Sequence, residues 1–151
     1  MKIALGADHG GYELKNIIRE YLSQKGFEVR DLGTDSAESV DYPLYGFNVG
    51  QAIIRKEADL GIVVCGTGIG ISIAANKVKG IRAALCTNSY MARMAREHNN
   101  ANILALGARV VGSGLALEIV DTFLSTAFSG DRHSRRVDQI ATFEKEKGSR
   151  E

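Results

Sequence analysis

The passage from Leu60-Gly61-Ile62-Val63-Val64 into Cys65-Gly66-Thr67-Gly68-Ile69-Gly70 constrains the fold of this chain more than any other. Its first part is short, apolar and β-branched, which reads as a buried strand. Three alternating glycines then free the backbone to curl, and Ile71 to Asn76 continues as a helix. A strand–loop–helix junction aims several peptide N–H groups at one point, where an anion can sit. Cys65 stands at the lip of that point. The loop has no Gly-Lys-Ser/Thr ending, and no glycine triad follows the first strand. A small oxyanion such as an enediolate therefore suits it better than a nucleotide.

The same alternation runs through the whole sequence. Strands are expected over Ile3–Ala7, Phe27–Leu32, Leu60–Val64, Ile81–Cys86 and Ile103–Leu106. Between them fall helices over Tyr12–Lys25, with Leu14, Ile17, Ile18, Tyr21 and Leu22 at helical spacing, and over Pro43–Arg55. Further helices follow: one capped by Thr87 and running to Glu97, one from Gly112-Ser113 through Phe128, and one from Ser134 fraying into the charged tail Glu144–Glu151. Five strands alternating with helices predict an α/β fold, a three-layer α/β/α sandwich around a five-stranded parallel sheet. No repeat or linker interrupts residues 1–151, so one domain is expected.

Bulk properties exclude several classes of function. The formal net charge of +1 provides no global field for nucleic acid or an anionic membrane. No run approaches the roughly eighteen apolar residues of a membrane span. Two cysteines at strand ends have no metal-ligand spacing and form no disulfide framework. A reducing, cytoplasmic setting without metal is the expectation.

In open parallel sheets, ligands bind outside the carboxyl ends of the strands. Asp8-His9-Gly10-Gly11 and the Cys65 loop gather at such ends, and Asp41-Tyr42 precedes the second helix. Cys65 is either a small buried hydrophobe or a base, and the glycines beside it favour the base, because a helix start can supply a usable thiolate. His9 and His98 either transfer protons near neutral pH or cap a surface. Arg132 and Arg136, one helical turn apart, make either a phosphate clamp or a solvated basic face, with Arg109 as a possible third member. His98-Asn99-Asn100 comes just before the fifth strand, hence at the opposite edge of the sheet or in a loop folding over. That position points to service in a neighbouring subunit.

Taken in order, Gly6-Ala7-Asp8-His9-Gly10-Gly11, Asp41-Tyr42-Pro43, Cys65-Gly66-Thr67-Gly68-Ile69-Gly70 with Ala74-Ala75-Asn76-Lys77-Val78, His98-Asn99-Asn100-Ala101-Asn102 and Leu106-Gly107-Ala108-Arg109 form a specific set. The chain resembles the type B ribose-5-phosphate isomerases, in the family that also holds the galactose-6-phosphate isomerase subunits. The likeness runs from Lys2 to Phe143.

This resemblance implies a Rossmann-like sandwich, a homodimer or dimer of dimers with intersubunit sites, and an aldose–ketose isomerisation without cofactor or metal. Its substrate would be a phosphorylated sugar, ribose 5-phosphate giving ribulose 5-phosphate. Carried over by motif position, Cys65 would be the base between C2 and C1. The amides of Gly66, Thr67, Gly68, Ile69 and Gly70, with Asn99, would stabilise the enediolate. Thr67 and His98 would open the furanose ring, with Asp8 at the other end of the proton path. His9, Arg132, Arg136 and Arg109 would hold the phosphate, and Tyr42 would line the sugar pocket. Some members carry a glutamate where this chain has Ile71, which leaves Cys65 as the nearby proton acceptor. Two alternatives stay open at this point: an isomerase of a hexose 6-phosphate, allose or galactose, and a non-catalytic sugar-phosphate sensor.

Overall fold

The computed structural model describes residues 1–148. Five strands, β1 (Lys2–Ala7), β2 (Glu28–Asp31), β3 (Leu60–Cys65), β4 (Ala83–Leu85) and β5 (Ile103–Gly107), alternate with helices. The helices are α1 (Tyr12–Gln24), α2 (Tyr42–Ile54), α3 (Ile69–Asn76), α4 (Ser89–Glu97), α5 (Ser113–Ser125) and α6 (Arg132–Gly148). All strand pairs are parallel, in the order β2-β1-β3-β5-β4. The expected parallel α/β sandwich is therefore the fold.

Strand side chains point alternately to the two faces, and the sequence fills those faces differently. Ile3, Leu5, Ile62, Val64, Leu104 and Leu106 pack against α1, α4 and α5, through Leu14, Ile18, Leu22, Ala92, Ile119 and Phe123. On the other face Ala4, Val63, Cys65, Ile103 and Ala105 meet Val49, Ala52, Ile71 and Ala75 of α2 and α3. Small residues there bring α2 close to the sheet: a β-carbon on Gly61 would lie 2.6 Å from Val49 Cγ1. The catalytic candidate Cys65 thus belongs to the thin side of the sandwich.

Several element boundaries differ from the sequence expectation. Asn88, not Thr87, caps α4, its side chain accepting from Met91 N–H at 2.9 Å. Thr87 donates instead to Met91 Sδ at 3.4 Å. Helix α5 stops at Ser125, short of Phe128. The following segment is tied to α4 instead: Ser129 N–H donates to Glu97 O at 3.1 Å, and Arg96 Nε to Thr126 O at 3.3 Å. Asp131, at φ +51°, then turns the chain so that α6 begins at Arg132 rather than Ser134. The expected frayed tail is helical through Gly148, and its last three residues lie outside the described ones.

Two polar devices steady the frame. Buried Lys15 donates to Thr34 O at 2.7 Å and pairs with Asp31 at 3.1 Å, anchoring the loop that leads to α2. At the outer edge of β4, the Asn76 side chain takes Ala83 N–H at 2.8 Å and donates to Ala83 O at 2.9 Å.

Candidate active site

Strand order reverses at the β1/β3 boundary, because β1 leads outward to β2 while β3 leads toward β5 and β4. This is where an open parallel sheet leaves a crevice at its carboxyl end. The loops leaving β1 and β3 touch there: a β-carbon on Gly10 would lie 3.2 Å from Gly66 N and 3.3 Å from Asp8 Oδ1. Asp8 is buried at 7% exposure, and its Oδ1 accepts Gly11 N–H at 3.1 Å, which opens α1.

The Cys65 loop is wound around its own polar groups. Cys65 Sγ, on a residue 5% exposed, receives Gly68 N–H at 3.1 Å. Thr67 Oγ1 accepts Ile69 N–H at 3.2 Å. Gly68 sits at φ +78°, a conformation that costs L side chains but not glycine, and its Cα faces the Leu106–Gly107 backbone. The sulfur is therefore presented to a backbone donor and to the first turn of α3, whose dipole favours negative charge.

Other expected residues converge on this loop. Tyr42, the first residue of α2, lays its ring over Gly70, where a β-carbon would approach Cζ to 2.6 Å. Only glycine leaves room for that ring. The Arg109 guanidinium lies over Gly66, with Nη1 2.9 Å from the position of a β-carbon there. His9 Nδ1 is met by Val40, N–H at 3.1 Å and carbonyl at 3.2 Å. His9, Gly10, Glu13, Arg109 and Ser113 line a cleft of about 400 Å³ beside it. Glu13 was not singled out in the sequence, where it reads as an ordinary first-turn acid of α1.

A second group gathers at the other end of the sheet. His98 caps the carboxyl end of α4 and Asn99 follows, both ahead of β5. The His98 ring stacks on His133 of α6, with centroids 4.1 Å apart and planes 10° from parallel. Arg132 and Arg136 flank His133 and are exposed. Burial, followed by the neighbouring His98, Arg132 and Arg136, holds His133 below the usual histidine pKa. His133 is a further residue that sequence reading missed. The two groups are separated by the five residues of β5 at roughly 3.3 Å each. One chain thus brings Asp8, His9, Tyr42, Cys65, Thr67, Gly70 and Arg109 together, but not with His98, Asn99, Arg132 or Arg136.

Both cysteines are free, as expected. Cys86 differs from Cys65: burial pushes its thiol up to about 11, and its partner is the Ala84 carbonyl at 3.7 Å. Among the described residues no group of His, Cys, Asp and Glu is arranged to hold a metal ion, and no helix is long and apolar enough to cross a membrane.

Comparison with known proteins decides the family. The family model described as Ribose/Galactose Isomerase matches residues 3–140. The chain belongs to the ribose/galactose isomerase family. Ribose-5-phosphate isomerase B of Escherichia coli is 50% identical over 143 residues, spanning 95% of this chain and 96% of that one. The solved Clostridium thermocellum ribose-5-phosphate isomerase B is 63% identical, with a TM-score of 0.96 over 97% of this chain and 99% of that chain. Ribose-5-phosphate isomerase B from Mycoplasma genitalium, solved with bound ribulose-5-phosphate, superposes with a TM-score of 0.92 at 46% identity, over 96% and 97% of the chains. Membership makes this chain an aldose–ketose sugar-phosphate isomerase, which sets the sensor alternative aside.

Proposed function

We propose that this family member interconverts ribose 5-phosphate and ribulose 5-phosphate through a cis-enediolate, with Cys65 as the base. The observation that carries the reading is the Cys65 sulfur. It meets Gly68 N–H at 3.1 Å inside a loop of backbone donors, in contact with the Asp8–Gly11 loop. Ring opening moves the C1 hydroxyl proton toward Asp8 while the C1–O4 bond breaks and His98 protonates O4. The Cys65 thiolate then takes the C2 proton, and charge develops on the oxygens of C1 and C2. Preorganised N–H donors at such oxygens contribute about 3–4 kcal/mol each. The C2 hydroxyl proton passes to the C1 oxygen, and return of the proton from Cys65 to C1 completes the ketose. His9, Arg109, Arg132 and Arg136 hold the phosphate, and that remote binding positions the reacting carbons.

The site is completed by a second copy of the chain. His98, Asn99, Arg132 and Arg136 lie at the edge opposite their own Cys65, and in this reading another copy supplies them. A surface suited to association lies next to the Cys65 loop. Leu44, Phe47 and Ile54 of α2 and Ile69 and Ile73 of α3 are 40–55% exposed on the outer side. An exposed apolar patch of this kind marks an interaction site. The assembly in this reading is a homodimer or a dimer of dimers.

A steady-state assay without added metal tests the substrate, comparing ribose 5-phosphate with allose 6-phosphate and galactose 6-phosphate. The expected kcat/KM favours ribose 5-phosphate by about tenfold or more, a 1.4 kcal/mol difference in transition-state binding. Preference for a hexose phosphate would overturn the substrate while leaving the isomerase.

A further inference from the structure

The turn that follows His98 is held by two arginines that no part of the proposed mechanism uses. Arg82 stands between α3 and β4, and Arg96 is in the last turn of α4. Arg82 Nε donates to Asn99 O at 3.0 Å and Asn100 O at 3.1 Å, and its Nη2 to Asn100 O at 2.9 Å. Arg96 Nη1 donates to Ala101 O and to Asn100 Oδ1 at 3.3 Å. Three successive carbonyls, of Asn99, Asn100 and Ala101, are therefore gripped by two guanidinium groups.

The grip is reciprocal. Asn102 Oδ1 accepts Arg82 N–H at 2.8 Å, and Asn102 Nδ2 donates to Gly80 O at 2.9 Å. The segment bearing Arg82 holds the turn, and the turn holds that segment.

An ordinary helix C-terminus explains part of this, since cations and donors suit its last carbonyls. It does not explain the cost. Both arginines are half-buried, and among the described residues every hydrogen bond of either guanidinium goes to an uncharged oxygen. Burial disfavours the charged form of each, and Arg82 repels Arg96. Glu144 gives Arg82 only a partial counter-charge, its carboxylate accepting Gly80 N–H at 3.1 Å. Asn100 is also held at φ +46°, where a glycine would close the helix with less strain. Strained backbone and desolvated charge of this kind persist where the surroundings fix a functional geometry.

We propose that Arg82 and Arg96 are positioning residues, which set His98 for ring opening by locking the Asn99–Ala101 carbonyls of the turn that follows it. This rests on the reading of His98 as a ring-opening group. Ribulose 5-phosphate has no furanose ring to open, so its C1–H exchange in D₂O reports proton transfer alone.

Three variants test the lock: Arg82→Met, His98→Gln and the pair together, each checked for native secondary structure and assembly. A small displacement of a catalytic group can cost about a hundredfold. Arg82→Met is expected to slow ribose 5-phosphate turnover about ten- to a hundredfold, with C1–H exchange kept near the parent rate. Arg82→Lys, with fewer and less rigid donors, should recover part of the loss. Combined with His98→Gln, Arg82→Met should add little further loss, because both act through one group. Unchanged turnover in Arg82→Met, equal loss of exchange and turnover, or multiplicative losses in the pair would overturn the lock while leaving the His98 assignment intact. Unimpaired His98→Gln turnover would overturn that assignment, and the lock with it.

Discussion

The two ends of the sheet solve the problem of placing reactive groups in opposite ways. At the carboxyl end the backbone does the work. Gly68 N–H meets the Cys65 sulfur, Gly11 N–H meets Asp8, and glycines admit the Tyr42 ring and the Arg109 guanidinium. At the amino end side chains do it. Arginines grip the turn after His98, and one histidine ring stacks on another across two helices. The first arrangement is fixed by the strands themselves. The second hangs on α6, which holds to the rest through contacts such as His133 on His98 and Glu144 on Gly80. Backbone donors thus dominate one end, and guanidinium and imidazole groups the other.

Removing Cys65, the proposed base, should have the largest effect. Cys65→Ala is expected to lower both turnover and C1–H exchange by about a thousandfold, within the span attributed to general bases, while equilibrium binding of ribulose 5-phosphate survives. Unchanged turnover in this variant would leave Cys65 as packing.

The comparison sharpens if the two ends come from different copies. Cys65→Ala and His98→Gln proteins, each weak alone, should regain activity when mixed under conditions that exchange subunits. Mixed dimers then carry one site with both groups intact. Absence of recovery despite exchange shown by mass spectrometry would place both groups in one chain.

The smallest effect concerns the stacked histidines. Because His133 is held below the usual histidine value in the folded protein, the unfolded chain takes up a proton first as pH falls. Stability should decline as pH drops below about 6.5 and level off once the folded histidine is protonated too. His133→Asn should flatten that part of the Tm profile. An unaltered slope would show that other groups govern it.

Much of the carboxyl-end group was legible in the sequence, because its chemistry sits in contiguous motifs. A β-branched run, alternating glycines and a helix fix where Cys65, Thr67 and Gly68 must lie. Tyr42 was legible as a residue beside the site, but its stacking on Gly70 was not, since twenty-seven residues, among them most of α2 and all of β3, separate them. The amino-end group was legible only as a difficulty: His98 falls before a strand rather than after one. The arginine grip escaped because Arg82 and Arg96 sit in unremarkable surroundings, and only tertiary packing turns them onto the same carbonyls. Helix ends were misread for the same reason. Asn88 outcompetes Thr87 as a cap, and α5 yields its last turn to bonds with α4.

Asn76 has a consequence that reaches beyond the site. Its carboxamide imitates a neighbouring strand, engaging both peptide groups of Ala83 at the outer edge of β4. An unpaired edge is a template on which foreign strands add and aggregates grow. Here that edge is terminated by a side chain from the helix just before it. At this edge a further strand would have to displace the Asn76 carboxamide before it could pair with Ala83.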